Sequence, residues 1–278
     1  MKRLMALYRL TRPFNALSGG LAVILGGYVA GTNQWLDVLL AAVAVFLVTG
    51  AANAWNDYRD VEIDRINQPH RVLPAGLISP RSAWLLSIAL TVLALVVGSL
   101  INLAAFLVVL LSSLVLYLYS WKLKRTVLVG NATVAAVSAL SAIFGGIAAG
   151  NVLPTLWLAL IIATGIMGRE VLKTLADYEG DLRQRCRTIA TAWGRRPARL
   201  VFYLLAAATT WVMMLPYLFR VYKPVYAYMV AFGVYPVVTY ILLRVGRDTS
   251  ARQLEKLSQL MKLDFLVWFL AVFLGAAS

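Results

Sequence analysis

Long apolar runs separated by short polar segments dominate the pattern of residues along the chain. A helix needs about 20 predominantly apolar residues to cross a bilayer, and nine runs come close to that length or exceed it. The pattern therefore predicts an all-α integral membrane protein with nine transmembrane helices, with residues 1–278 as a single polytopic domain. The predicted spans are 14–31, 36–55, 82–100, 102–121, 127–149, 154–172, 198–219, 224–243 and 261–277.

The overall composition agrees with this interpretation. Of the 278 residues, 61% are hydrophobic and 14% are charged, whereas a soluble domain has about 45–50% apolar and about 25% charged residues. One water-soluble core cannot bury so much apolar surface. The single cysteine, Cys186, excludes an internal disulfide. Two Gly-x-x-x-Gly motifs, one at Gly27 and Gly31 and the other at Gly146 and Gly150, are typical of closely packed membrane helices.

The basic residues are distributed unevenly across the predicted topology. With the N-terminus in the cytoplasm, 24 of the 26 Lys and Arg residues fall on the inner side, and only Arg220 and Lys223 fall outside. Because Lys- and Arg-rich loops stay in the cytoplasm, we predict a multi-pass protein of the cell membrane with a cytoplasmic N-terminus. Because these basic residues serve to orient the chain in the membrane, the net charge of +14 does not indicate a nucleic-acid partner.

Most acidic residues lie in two inner segments, which follow the second and sixth predicted helices. The first row, Asn56, Asp60 and Asp64, has the spacing i, i+4, i+8, which places one carboxamide and two carboxylates on one face of a helix. The second row, Asp177 and Asp181, repeats the i, i+4 spacing. The separation of the rows hints at two related four-helix halves followed by a ninth helix.

Carboxylates crowded at a helix end repel one another unless a cation binds between them. Hard oxygen ligands suit Mg²⁺, which takes one or two carboxylates and completes its shell with water and substrate phosphate. We therefore expect the rows to face each other and to hold two Mg²⁺ ions with a diphosphate between them, on the cytoplasmic side. The candidate catalytic residues are the four aspartates Asp60, Asp64, Asp177 and Asp181, and the candidate phosphate ligands are Arg71, Lys124 and Lys173.

These motifs resemble those of the UbiA superfamily of intramembrane prenyltransferases. Asn56, Asp57, Asp60 and Asp64 are similar to its first Asp-rich motif, and the second row is similar to its second. Within the superfamily, several stretches resemble digeranylgeranylglyceryl phosphate synthases, namely residues 12–15, 56–67, 130–131, 144–146 and 169–181. Residues 71–76 depart from the commoner Arg-Pro-x-Pro-Ser-Gly form of one further motif.

The resemblance implies nine helices around a central cavity with a cytoplasmic cap. It implies a polyprenyl diphosphate donor, with geranylgeranyl as the expected chain. The implied acceptor is lipophilic, with geranylgeranylglyceryl phosphate expected, and the product would serve membrane ether-lipid biosynthesis. The implied Mg²⁺ ligands are Asn56, Asp60, Asp64, Asp177 and Asp181, with phosphate contacts from Arg71, Lys124 and Lys173.

Three other functions are compared with this one. An aromatic prenyltransferase of the same superfamily, which would act on 4-hydroxybenzoate or a related ring in quinone biosynthesis, shares much of the pattern. A secondary transporter would carry carboxylates near the bilayer midplane and broken helices, whereas the acids here lie at helix ends. A non-catalytic membrane scaffold gives no reason for two acidic rows.

Overall fold

The computed structural model describes residues 2–183, 185–247 and 250–276. Within these ranges every regular element is helical, and none is a strand. One π-helical segment, Val230–Val234, and two short 3₁₀ turns, Leu123–Arg125 and Leu153–Thr155, lie between the α-helices. The α-helices are α1 (Lys2–Leu10), α2 (Pro13–Val29), α3 (Trp35–Asn67), α4 (Pro80–Ile101), α5 (Leu103–Trp121), α6 (Val129–Ala148), α7 (Leu156–Ala176), α8 (Tyr178–Arg183), α9 (Ile189–Trp193), α10 (Arg195–Leu218), α11 (Pro224–Met229), α12 (Tyr235–Arg247) and α13 (Ala251–Gly275).

The all-helical membrane architecture predicted from the apolar runs is confirmed. Eight of the nine predicted spans coincide with helices that are long and apolar enough to cross a membrane. The predicted span 14–31 corresponds to α2, an apolar helix of 17 residues. The count of nine is therefore not confirmed in the part of the chain that the structure describes.

Two helices extend well beyond their predicted spans. α3 has 33 residues, so its last turns continue past the apolar run and carry the first acidic row on one unbroken helix. An ion pair from Arg65 Nη1 to Glu62 Oε2, 2.8 Å long, supports this polar extension. α13 begins at Ala251, before the predicted start at residue 261, while the predicted last residue, 277, lies outside the described residues.

The contacts between residues divide the chain into two compact units, and one of the three boundaries along the sequence falls within α6. The first unit contains residues up to 124 together with 141–155. In its apolar core α3 packs against α2, α4 and α5. Small buried side chains such as Ala41, Ala44, Ala94 and Ala105 line these contacts. They let the helices approach closely, which is the main source of packing energy between helices in a bilayer.

A very close helix contact in the first unit joins α2 to the end of α6. A Cβ added at Gly26 would lie 2.2 Å from the carbonyl oxygen of Ala142, and one added at Gly145 would lie 2.1 Å from the carbonyl oxygen of Val23. Real Cβ atoms do not approach so closely, so only glycine fits at either position. The two backbones are therefore nearly in contact.

The glycine motifs noted in the sequence have two different uses. Gly27 packs against the side chain of Val38 on α3, where an added Cβ would lie 2.6 Å from the nearest atom. Gly31 and Gly150, the second glycines of the two motifs, follow the ends of α2 and α6 with φ angles of 70° and 74°. These left-handed conformations are typical of the residue that terminates a helix.

The second unit contains residues 125–140 and the described residues from 156 onwards. Here α7 packs against α10 and α13. Two large buried side chains connect the helices around it: Trp268 Nε1 donates to Tyr226 Oη over 3.1 Å. The Tyr226 hydroxyl in turn donates to the carbonyl oxygen of Met213 over 2.6 Å. The polar atoms of both rings are thus satisfied in an apolar interior, as buried polar groups must be.

We expect Gly26→Ala to lower the midpoint of thermal unfolding in detergent. The added methyl group forces α2 and α6 apart, and overpacking of this kind costs about 1–3 kcal/mol. Gly20→Ala, on the same helix, is the matched control, because its nearest neighbour would be the carbonyl oxygen of Ala42 at 3.7 Å. Equal midpoints for the two variants would contradict the close contact between α2 and α6.

Candidate active site

The polar end of α3 carries three buried carboxylates. The unbroken helix brings Asn56, Asp60 and Asp64 onto one face, as their spacing predicts. Asp60 and Asp64 are 8% and 5% exposed, and Asp57, on a neighbouring face, is 6% exposed. Charges buried to this degree destabilise a fold unless each has a partner of opposite sign.

Each of these aspartates pairs with a cation from a different part of the chain. The ammonium group of Lys124 contacts both carboxylate oxygens of Asp60. Arg71 Nη1 donates to the two oxygens of Asp64 over 2.9 and 2.7 Å. The guanidinium group of Arg12, at the start of α2, contacts Asp57. Three negative charges are thereby matched by three positive charges.

Local structure explains how Arg71 reaches the acidic row. The chain reverses direction after α3 through successive turns, in which Arg71 N–H donates to the carbonyl oxygen of Gln68 over 2.9 Å. Val72, Leu73 and Ile78 then anchor the loop in an apolar cluster that includes Ala54 and Ala83. The buried apolar side chains fix the loop, and Arg71 is left facing Asp64.

Lys124 lies in a short 3₁₀ turn, Leu123–Arg125, directly after α5. The N–H of Lys122 donates to the carbonyl oxygen of Leu118 over 2.8 Å and closes the last turn of that helix. The side chain of Lys124 is 19% exposed, so the ion pair with Asp60 is largely shielded from water. Shielding strengthens the attraction between the two charges.

Arg12 and its partner Asp57 were not among the site residues predicted from the sequence. Arg12 has a φ angle of 50°, a left-handed conformation that is uncommon for residues other than glycine. One turn before Asp57 on α3, Asn53 Nδ2 donates to the carbonyl oxygen of Thr11 over 3.0 Å. Two side chains of α3 thus hold the α1–α2 junction, and strained residues held in this way are often found at functional sites. The sequence feature that could have pointed to Arg12 is the Arg12–Pro13 pair at the start of a helix.

The second acidic row, in the second unit, is not on a continuous helix. α7 ends at Ala176 and α8 begins at Tyr178, so Asp177 lies at the break between them. The N–H of Asp181 donates to the carbonyl oxygen of Asp177 over 2.9 Å. This main-chain hydrogen bond keeps the two residues one turn apart despite the break.

Lys173, on the last turns of α7, is paired with a buried carboxylate that sequence reasoning missed. Lys173 Nζ donates to both oxygens of Glu170, each over 3.0 Å. Glu170 is 6% exposed, and Arg169 Nη1 lies 3.4 Å from it. Arg169 Nε also donates to the carbonyl oxygen of Ser258 on α13 over 3.1 Å. The i, i+3 spacing of Glu170 and Lys173 was the signal for this pair.

The oxygen ligands of the first row are compatible with Mg²⁺. In the described residues no group of three or more His, Cys, Asp and Glu side chains converges on one point. Mg²⁺ does not require such a group, because it usually takes one or two carboxylates and fills its shell with water and substrate phosphate. Asp60 and Asp64 with the amide of Asn56 supply a donor set of that kind. In the structure, the carboxylate of Asp60 is paired with Lys124 and that of Asp64 with Arg71.

Comparison with known sequences identifies the family. A model described as the UbiA prenyltransferase family matches residues 19–276. The digeranylgeranylglyceryl phosphate synthase of Methanothermobacter thermautotrophicus is 35% identical to this chain over 271 residues, which is 96% of this chain and 94% of the relative. Both matches therefore extend through both units.

Solved structures agree with the sequence comparison. A structure concerning digeranylgeranylglyceryl phosphate synthase in membranes superposes with a TM-score of 0.79 and 28% identity, and the match covers 99% of both chains. A UbiA homologue from Archaeoglobus fulgidus bound to GPP and Mg²⁺ shares the fold, with a TM-score of 0.72, 19% identity, and coverage of 96% of this chain and 99% of that one. Given a family model and a relative that each match nearly the whole sequence, the chain belongs to the UbiA prenyltransferase family of membrane enzymes.

Proposed function

We propose that this enzyme transfers a geranylgeranyl group from its diphosphate to geranylgeranylglyceryl phosphate, a step of membrane ether-lipid biosynthesis. The observation that carries the proposal is the cluster of buried carboxylates and cations at the end of an apolar helix. Such a cluster suits a substrate with an anionic head and a long apolar chain. The name of the relative from Methanothermobacter thermautotrophicus supports the choice of acceptor.

Five side chains would hold Mg²⁺ in this proposal: Asn56, Asp60, Asp64, Asp177 and Asp181. The two rows supply carboxylate and amide oxygens, the ligand type that Mg²⁺ prefers. Bound Mg²⁺ neutralises diphosphate oxygens and so stabilises the charge that develops on the leaving group. The UbiA homologue bound to GPP and Mg²⁺ supports both the metal and the class of donor.

Arg71, Lys124 and Lys173 are the proposed ligands of the diphosphate. Each is now paired with a buried carboxylate: Arg71 with Asp64, Lys124 with Asp60, and Lys173 with Glu170. When a diphosphate binds, these groups would exchange a carboxylate for a phosphate oxygen, the acceptor that Arg and Lys bind most strongly. The same cations then stabilise the diphosphate as it leaves.

The reaction follows from the chemistry of an allylic diphosphate. The bond between C1 and the diphosphate oxygen breaks, and its electron pair leaves with the diphosphate. The hydroxyl oxygen of the acceptor forms the new bond to C1, and its proton is released. The apolar helices would hold the prenyl chain, whose transfer out of water is worth about 0.8 kcal/mol per CH₂, and would exclude water from the reacting carbon.

We also propose that the two units act as one catalytic domain in the cell membrane, with both acidic rows and the N-terminus on the cytoplasmic side. The family model spans residues of both units, which supports a shared activity. The concentration of Lys and Arg in alternate loops supports the orientation.

The acceptor can be tested with purified protein in lipid vesicles. We expect geranylgeranyl diphosphate and Mg²⁺ to give digeranylgeranylglyceryl phosphate when geranylgeranylglyceryl phosphate is present, and no product after chelation, as read by mass spectrometry. Parallel reactions contain 4-hydroxybenzoate. Prenylated benzoate as the sole product would replace the proposed acceptor with an aromatic ring, and no product from either acceptor would contradict the proposed function.

The two acidic rows can be tested by isosteric substitution. We expect Asp60→Asn and Asp181→Asn to lower kcat by at least about 100-fold, as loss of a transition-state contact does. Glu62→Gln and Glu179→Gln are matched controls, because these two side chains are 73% and 65% exposed. Thermal unfolding of each variant checks that it is folded. Near-normal turnover by folded Asp60→Asn or Asp181→Asn would contradict the roles proposed for the rows.

The orientation can be tested with the single cysteine. Cys186 follows α8 in a segment that the proposal places in the cytoplasm. A membrane-impermeant maleimide should label Cys186 only after cells are permeabilised. In a Cys186→Ser background, the exposed position Lys223→Cys should be labelled in intact cells. The reverse pattern of labelling would overturn the orientation.

A further inference from the structure

A groove of about 370 Å³ opens at the junction of α1 and α2, where it belongs to the first unit. Its walls combine aromatic and basic side chains. Tyr8 and Phe14 are 55% and 80% exposed, so large apolar surfaces face the surroundings here. The full lining is Tyr8, Arg9, Arg12, Pro13, Phe14 and Asn15.

The two arginines of the groove are in different electrostatic states. Arg12 shares its charge with the buried carboxylate of Asp57. Arg9 is exposed and has no ion pair among the described residues. The lining of the groove contains two guanidinium groups and no carboxylate, and only Arg12 is paired with a carboxylate from outside it, so the groove carries a net positive charge. A planar guanidinium group is well suited to bind a phosphate through two parallel hydrogen bonds.

The surface of α1 indicates the depth of this groove in a membrane. Ala6 and Leu10 are buried against the first unit, whereas Leu4, Met5 and Tyr8 are exposed. Short helices with exposed apolar side chains and basic residues lie at the boundary between lipid headgroups and acyl chains. Phe14 and Leu17, at i and i+3 on the first turns of α2, continue the apolar surface. A phosphate at the arginines would thus have an apolar path beside it for a hydrocarbon chain.

The groove is also close to the first acidic row. Arg12 contacts Asp57, and Asp57 precedes Asp60 by three residues on α3. Residues at this spacing lie about 5–6 Å apart on a helix surface. A phosphate bound at Arg12 would therefore be two side-chain contacts from the row, through Asp57 and then its helix neighbour Asp60.

We propose that this groove binds the phosphate of the acceptor lipid, with Arg9 and Arg12 as its ligands. The inference rests on the proposed function and adds a specificity site to it. The occupant is a phosphomonoester that carries an isoprenoid chain: its charge complements the two arginines, and its chain follows Phe14 and Leu17. The groove thus selects a phosphorylated acceptor over an uncharged one.

The test compares two acceptors in neutral lipid vesicles, geranylgeranylglyceryl phosphate and geranylgeranylglycerol. The measured quantity is the ratio of their kcat/KM values. We expect Arg9→Gln and Arg12→Gln each to lower this ratio about tenfold or more, since each removes a charged hydrogen bond that only the phosphate accepts. Arg12→Lys, which keeps the charge, should restore part of the preference.

Arg3→Gln is the matched control. Arg3 lies on the same helix and is exposed, but its Nη2 donates to Ser82 Oγ over 3.3 Å and it does not line the groove. The variant should keep the wild-type ratio. If Arg12→Gln fails to fold because Asp57 loses its partner, the exposed Arg9 still provides the test.

The outcomes separate the two proposals. A ratio that does not change in Arg9→Gln and in folded Arg12→Gln overturns the phosphate site and leaves the proposed function intact. An equal loss with both acceptors overturns the site as well, because the arginines would then act without regard to the phosphate. If the wild-type protein makes no diether product, the proposed acceptor fails, and this site fails with it.

Discussion

Buried carboxylates at the polar end of α3 constrain the whole first unit. A helix that leaves the membrane with three aspartates shielded from water is stable only if cations are brought to them. The cations come from the α1–α2 junction, from the loop after α3 and from the turn after α5. Because each aspartate needs a partner of opposite charge, the end of α3 holds three connecting segments that are otherwise separate from one another.

The membrane-spanning parts obey a different constraint. Apolar side chains gain little by leaving lipid for protein, so these helices associate through close fit. The contact of Gly26 with α6 shows how far this goes, because the backbones approach to a distance that no side chain permits. Close packing of the apolar segments and ion pairing of the polar ends are thus complementary ways of holding the same helices.

Much of this organisation was predictable because it depends on neighbours along the chain. Apolar runs located eight of the spans, and the i, i+4, i+8 spacing gave the face that carries Asp60 and Asp64. The ion pairs of Lys124 and Arg12 were not predictable, because they join residues far apart in sequence: Lys124 and Asp60 are separated by 64 positions, and Arg12 and Asp57 by 45. The break at Asp177 and the early start of α13 were also missed, because hydropathy does not indicate where the polar part of a helix begins or ends.

The matched charges of the first acidic row also act on molecules that are not substrates. Inorganic phosphate, nucleotides and other common anions would find Lys124 and Arg71 already neutralised. An anion that binds there without Mg²⁺ would have to separate a shielded ion pair and leave an aspartate without compensation, which is costly. In the proposed reaction, Mg²⁺ held by Asp60 and Asp64 would supply that compensation when the diphosphate binds. The ion pairs therefore prevent this site, although it is rich in basic residues, from binding anions in general. The site selects against unsuitable anions by charge as well as by shape.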